Sequence, residues 1–248
     1  MDVLGIDVGG SGIKGAVVDT DTGTLKTDRC RLKTPTPSTP KAMGKVVKRI
    51  VNHFEWEGPI GCGMPGPLKS GRLMTANNID KEWLGEDPSA VYSDAVGQKV
   101  TVINDADAAG LAEIHFGAGR GVRGVVLLLT LGTGIGSALF MNGLLVPNTE
   151  FGQIELRGKK GERRAAAQVR TRKKLSWKQY AEVLTEYLEA VEGLVWPDLI
   201  ILGGGVSKTA DKFIPRLKNI STVVPAEMRN QAGIVGAALG HVHNPLIY

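Results

Sequence analysis

A two-lobed α/β protein, with its halves facing each other across a cleft, is the fold class that the sequence predicts, and three observations carry it. The elements follow the order hairpin, helix, strand, helix, and that order then starts again. The stretch Gly5-Ile6-Asp7-Val8-Gly9-Gly10-Ser11-Gly12-Ile13 is similar to Leu129-Thr130-Leu131-Gly132-Thr133-Gly134-Ile135-Gly136-Ser137, so each half sets a glycine-rich turn between two strands. With 248 residues, 42% of them hydrophobic and 22% charged, the chain has the composition of an ordered protein with a sizeable core.

Residues 3–8 and 13–19 are β-rich runs joined by Gly9, Gly10, Ser11 and Gly12, the pattern of a hairpin. Residues 25–33 read as a third strand, and the Pro-Thr alternation over 34–40 as a turn-rich connector. Met43, Val46, Val47 and Ile50 recur at helical spacing and predict a helix over 41–54. A strand at 60–64 follows, and another at 100–103 runs through Asn104 and Asp105 into an Ala-rich helix over 106–114. The second half opens with apolar strands at 124–131 and 136–141. Trp177, Tyr180, Leu184, Tyr187, Leu188 and Val191 share one face of a helix over 176–196, opened by a capping box of Ser176 and Gln179 and stopped by Pro197. A buried strand at 198–202 leads into Gly203, Gly204 and Gly205, and a last helix over 233–241 is rich in small residues. The first lobe is expected at 1–107, with a C-terminal helix of about 233–248 packing back onto it, and the second at 108–232.

The net charge is +5, and all of the excess lies between residues 157 and 174. That stretch holds Arg157, Lys159, Lys160, Arg163, Arg164, Arg170, Arg172, Lys173 and Lys174 against Glu162 alone, which leaves the rest of the chain slightly acidic. Two readings stay open: a solvated face, the ordinary fate of a charge run, and a strip that binds a polyanion. The two cysteines, Cys30 and Cys62, are far apart, which excludes a disulfide framework and a four-thiolate zinc site and points to a reducing cytoplasm. The longest apolar run, 125–129, falls far short of the ~20 residues of a membrane helix, and the acidic start lacks the features of a signal peptide.

The N–H groups of a turn built from Gly and Ser can converge on an anion, because no Cβ stands in the way. Two such turns would grip a phosphate chain. Neither fits the P-loop or GxGxxG pattern, since the first leads into a strand and not a helix. Asp7, beside the first turn, is placed to hold hydrated Mg²⁺ against phosphates, and Lys14 to reach one; turn capping and plain exposure are the alternatives. Asp105 ends a buried strand, the edge where open α/β sheets put ligands, while a helix N-cap at Asn104 or Asp105 is the other reading. Glu150, Gln153 and Glu155 group two carboxylates and an amide around Gly152, a set able to hydrogen-bond several hydroxyls, as a sugar offers.

In this order the motifs resemble the ROK sugar kinases, most closely their polyphosphate glucokinase branch. The resemblance runs over nearly the whole chain. Asp7, Gly9, Gly10, Ser11, Gly12 and Lys14 look like the first phosphate motif, Gly63-Met64-Pro65-Gly66-Pro67 like the sugar-side turn, and Asn78-Ile79-Asp80-Lys81 like the segment after it. Asn104 and Asp105 match the catalytic pair, and Gly132, Thr133, Gly134 and Gly136 the second phosphate motif. Residues 150–155 match the hexose motif, and Gly203, Gly204 and Gly205 the nucleotide-side glycines.

The resemblance implies the two-lobed actin-like ATPase and sugar kinase fold, ribonuclease H-like, with a central cleft and usually a homodimer. It implies phosphorylation of the glucose 6-hydroxyl by polyphosphate or ATP with Mg²⁺, and Asp105 as general base. Asn78, Asn104, Asp105, Glu150, Gln153 and Glu155 would then hold the sugar, the glycine turns the donor, Asp7 the Mg²⁺ through water, and the basic stretch a polyphosphate chain. Ser11 stands where Thr is commoner, and Gln153 where the family usually has His, which bears on hexose affinity or choice. The zinc-binding cysteines of many members are absent, so no zinc is expected. The first motif begins at residue 7, ahead of which a winged helix would have to fit, so no specific nucleic-acid role is expected. An ATP-only hexose kinase and a noncatalytic sugar sensor or polyanion-binding module are the alternatives.

Overall fold

The computed structural model describes residues 1–243, and the chain divides into two compact units: Met1–Ala112 together with the segment from Asn230 onward, and Glu113–Arg229. In the first unit, β1 (Asp2–Val8) and β2 (Ile13–Asp19) form the expected hairpin, paired from Asp2↔Asp19 to Val8↔Ile13. The single strand expected over 25–33 is instead two, β3 (Thr24–Leu25) and β4 (Cys30–Leu32), both paired with β2. Thr27 is the reason: its hydroxyl accepts the Val17 N–H at 3.1 Å in place of a backbone carbonyl, and the ladder breaks there.

Helix α1 (Pro40–His53) starts where the Thr39 hydroxyl caps Ala42 N and Pro40 supplies a helical φ, and it buries Met43, Val46, Val47 and Ile50. After β5 (Ile60–Met64), parallel to β1, come a small hairpin of β6 (Leu68–Lys69) and β7 (Arg72–Leu73), and then α2 (Pro88–Val96). Periodicity does not announce α2. Its punctuation does: Asp87 caps Ser89 and Ala90, Pro88 takes the first turn, and Gly97 ends it at φ 87°. β8 (Val100–Asn104) completes the order β3-β2-β1-β5-β8, and α3 (Asp105–Phe116) leaves from it directly. The chain passes from the first unit to the second within α3, between Ala112 and Glu113, and returns between Arg229 and Asn230.

The second unit repeats the plan. β9 (Val125–Leu131) and β10 (Ile135–Met141) form a hairpin extended by β11 (Leu144–Val146). The basic stretch folds as a hairpin of β12 (Glu155–Leu156) and β13 (Lys159–Lys160), then α4 (Glu162–Ala165) and α5 (Ala167–Lys173). In α6 (Trp177–Val195) both halves of the Ser176–Gln179 capping box are made, and Tyr180, Leu184, Tyr187, Leu188 and Val191 are buried. β14 (Leu199–Gly203) lies parallel to β9, with β15 (Thr222–Pro225) at its outer edge, giving the order β11-β10-β9-β14-β15. A hairpin followed by parallel strands is the topology of both sheets, so the repeat seen in the sequence is a repeat of architecture.

Helix α7 (Ala232–Val242) returns to the first unit and packs on β1 and β5. A Cβ on Gly5 or Gly61 would collide with the carbonyl oxygens of Ile234 and Ala237, so the small residues let the backbones touch. Residues 244–248, which the sequence reading put in the last helix, lie outside the described residues. Cys62, in β5, is fully buried, and burial, helped by the nearby charge of Asp7, holds its thiol pKa far above the ordinary value; burial also raises that of half-buried Cys30 in β4. Among the described residues, no helix is long and apolar enough to cross a membrane.

Candidate active site

In the first unit, the hairpin turn is closed by the Gly9 N–H donating to Gly12 O at 3.1 Å and braced from outside by the Thr34 hydroxyl, which donates to Gly9 O. The amides of Gly10, Ser11 and Gly12 make no hydrogen bond among the described residues, which leaves three N–H groups for an anion. Asp7 lies opposite Lys14 in the β1–β2 register, and Lys14 Nζ donates to Asp7 Oδ2 at 3.1 Å. The first turn of α7 covers this carboxylate so closely that a Cβ on Gly233 would fall 2.7 Å from the Asp7 carboxyl carbon. The Asn78 carbonyl oxygen sits 3.2 Å from where a Gly10 Cβ would be, which brings exposed Asn78 beside the glycine turn.

At the β8–α3 junction the two candidate residues separate into two roles. Asn104 is buried, and its Oδ1 accepts from Ala106 N at 2.8 Å and Asp107 N at 3.0 Å, capping α3. Asp105, half-buried, accepts at Oδ1 from Ala106 N at 2.8 Å, a donor that Asn104 already satisfies. The helix start therefore does not depend on the Asp105 carboxylate.

In the second unit, Gly132 N donates to Gly134 O at 3.0 Å, and Gln168 N, from α5, donates to Gly132 O at 3.0 Å. Ser137 Oγ accepts from Phe151 N at 3.0 Å and donates to Thr149 O at 2.7 Å, which seats the 3₁₀ turn Phe151–Gln153 beside β10. Gln153 Nε2 donates to Glu162 Oε1 at 3.3 Å. Burial, and next the charge of Glu162, raise the pKa of Glu150, opposed by Lys160. Glu162 Oε2 also lies 2.5 Å from where a Gly134 Cβ would be, against the second glycine turn.

Glu150, Gln153 and Glu162 thus form one polar group. Glu155 stays apart from it, exposed on β12 across from Lys160, with no hydrogen bond or ion pair to the group among the described residues. Sequence reasoning missed Glu162, although a lone carboxylate among nine cations was a visible signal.

Gly204 ends β14 at φ 80°, with its backbone so close to Leu131 that a Cβ would strike the Leu131 carbonyl, so only glycine fits. Beyond it lies a cavity of about 340 Å³ lined by Ser207, Lys208, Asp211, Pro225, Glu227 and Arg229. One wall is held by Glu113, fully buried, whose carboxylate accepts from Ala118 N, Glu227 N and Met228 N at 2.8–3.1 Å.

The basic strip divides into tethered and free cations. Arg157 and Arg164 pair with Glu186 at 2.6 and 3.1 Å, and the Arg170 guanidinium lies 3.6 Å from the Trp177 ring centroid, with Phe213 also stacked on that indole. Lys159, Lys160, Arg163, Arg172, Lys173 and Lys174 are exposed and make no ion pair among the described residues.

The ROK family model matches residues 3–152. A polyphosphate glucokinase of Mycobacterium tuberculosis (strain CDC 1551 / Oshkosh) is 52% identical over 240 residues, covering 96% of this chain and 91% of that protein. The inorganic polyphosphate/ATP-glucomannokinase from Arthrobacter sp. strain KM superposes with a TM-score of 0.93 at 46% identity, covering 97% of this chain and 98% of that one. A ROK family glucokinase from Streptomyces griseus, solved with glucose and AMPPNP, shares the fold at 24% identity with a TM-score of 0.81, covering 96% and 98%. These matches bear out the two-lobed actin-like ATPase fold class read from the motifs. The chain belongs to the ROK family.

Proposed function

We propose that the chain phosphorylates the 6-hydroxyl of glucose, with inorganic polyphosphate or ATP as donor and Asp105 as general base. The observation that carries this reading is the match to polyphosphate glucokinases at about half identity over nearly the full length. Asp105 accepts the hydroxyl proton as O6 attacks the terminal phosphorus of the donor; the O6–P bond forms, the bridging P–O bond breaks, and the leaving chain keeps that electron pair. Asn104 supports this role by capping α3 itself, so the start of the helix does not depend on the Asp105 carboxylate.

Little covalent work falls to the protein, so positioning and charge neutralisation carry the rate. The free amides of Gly10, Ser11 and Gly12 and the turn of Gly132, Thr133, Gly134 and Gly136 bind donor phosphates. Asp7 fits a hydrated Mg²⁺: its side chain is 21% exposed, and Oδ1 makes no hydrogen bond among the described residues. When bound there, the ion neutralises phosphate charge. The cavity beyond Gly203, Gly204 and Gly205 suits the nucleoside of ATP, and the free cations of the strip suit the long polyphosphate anion.

A coupled glucose 6-phosphate assay with Mg²⁺ and either donor tests the reading. Turnover with both is expected. Turnover with ATP alone would leave an ATP-only hexose kinase, and none with any hexose would leave a sugar sensor or polyanion-binding module.

Glu150→Gln separates binding from stability. The raised pKa means that folding favours the protonated carboxyl, so wild-type stability falls as pH rises from about 4.5 through the folded value. The amide removes that loss. The melting temperature of the variant, relative to wild type, should therefore climb over this window, while its glucose KM rises about ten- to hundredfold from exchanging a charged acceptor for a neutral one. A flat melting difference between acid and neutral pH would remove the burial argument, and an unchanged glucose KM would remove Glu150 from the sugar site.

A further inference from the structure

The first phosphate turn has a neighbour that the motif does not contain. β4 pairs with β2 so that Arg31 lies directly across from Lys14, and Lys14 directly across from Asp7. Directly paired residues project from the same face of a sheet, so Asp7, Lys14 and Arg31 form a row on three adjacent strands at the foot of the turn. In that row Lys14 is matched by Asp7. Arg31 is exposed and has no hydrogen bond or ion pair among the described residues. Its guanidinium lies flat against the turn, with Nε, Nη2 and Cζ at 3.0–3.3 Å from where a Gly12 Cβ would be. Three residues further on, Thr34 is buried and braces Gly9 O, so the segment from Arg31 to Thr34 touches both ends of the Gly9–Gly12 turn.

We propose that Arg31 is a donor-binding residue: its guanidinium completes the anion site begun by the amides of Gly10, Ser11 and Gly12 and grips a phosphoryl group of the donor. A planar fork of donors beside three free N–H groups is the arrangement that two oxygens of one phosphate satisfy together. The Lys14–Asp7 pair is already neutral, so the unmatched positive charge of the row is Arg31 itself. That charge faces a phosphate of ATP and of polyphosphate alike, which makes Arg31 a residue for both donors, unlike the strip of the second unit. The inference rests on the kinase reading for the identity of the anion.

Arg31→Met and Arg31→Lys test it. Methionine keeps an unbranched cover over Gly12 and removes the charge; lysine keeps the charge and loses the fork. In steady state, Arg31→Met should lower kcat/KM for ATP and for polyphosphate about ten- to hundredfold, with Arg31→Lys in between and the glucose KM within about twofold of wild type. An equilibrium readout frees the test from turnover: inorganic tripolyphosphate is titrated into full-length chain whose Arg163, Arg172, Lys173 and Lys174 are already Gln, with and without Arg31→Met. Affinity should fall about tenfold or more on removing the guanidinium. Unchanged tripolyphosphate affinity in a folded Arg31→Met chain would overturn the assignment, as would wild-type kcat/KM with both donors. A chain that binds tripolyphosphate through Arg31 but never phosphorylates a hexose would instead overturn the kinase reading and leave the anion site standing.

Discussion

Asp105→Asn should lower turnover by about 10²–10⁴-fold with either donor, the usual loss on removing a general base, while glucose affinity changes little. The amide matches the carboxylate in shape, and its Oδ1 can still accept from Ala106 N, so the start of α3 is undisturbed. Asn104, with its two bonds to Ala106 N and Asp107 N, holds that start in any case. The measurement is kcat in the coupled assay, set beside glucose binding by calorimetry. A variant retaining more than half of the wild-type rate would remove Asp105 from the proton transfer.

Replacing Arg163, Arg172, Lys173 and Lys174 together with Gln should cut kcat/KM for polyphosphate at least tenfold and leave that for ATP within about twofold, since each contact between a cation and a charged acceptor is worth ~1.5–3 kcal/mol at most. Arg164 and Arg157 are left out because Glu186 already holds them, and Arg170 because it packs on Trp177. The fall of polyphosphate affinity with salt should also become shallower. By analogy with single-stranded nucleic acids, each lost phosphate contact removes roughly 0.7 from the slope of log K against log salt, so up to about 3 for four contacts. Equal loss with both donors would show damage to the shared site, and no loss with either would make the strip a solvated face.

What the sequence disclosed followed from how local each signal is. A capping box, a periodic apolar face and a glycine turn between β-rich runs are each complete within a few residues, and Ser176 with Gln179, the α6 face and both hairpins stand where those patterns put them. The break between β3 and β4 was hidden because it is decided by a hydroxyl ten residues from its partner, Thr27 on Val17 N. The hairpin and helices of the basic stretch were masked by charge: Val169 is the one large aliphatic residue between Arg157 and Lys174 buried as deeply as the core, and it leaves no period to read.

The site shows the same divide. Asp7, Asn104, Asp105, Glu150 and Gln153 sit inside motifs with recognisable spacing. Glu162 and Arg31 do not, because only folding brings the first to Gln153 and Gly134 and lays the second across Gly12.

The burial of Cys62 in β5 and the partial burial of Cys30 in β4 determine how the chain meets oxidants. Peroxides and electrophiles react with thiolate and not with thiol, and both groups are held above their ordinary pKa in the fold. At Cys62, which is fully buried, alkylating reagents and peroxide will find almost no nucleophilic sulfur until the strands open. Modification of Cys62, on the face of the first sheet packed against α1 and α2, then becomes a clock for the unfolding of that unit.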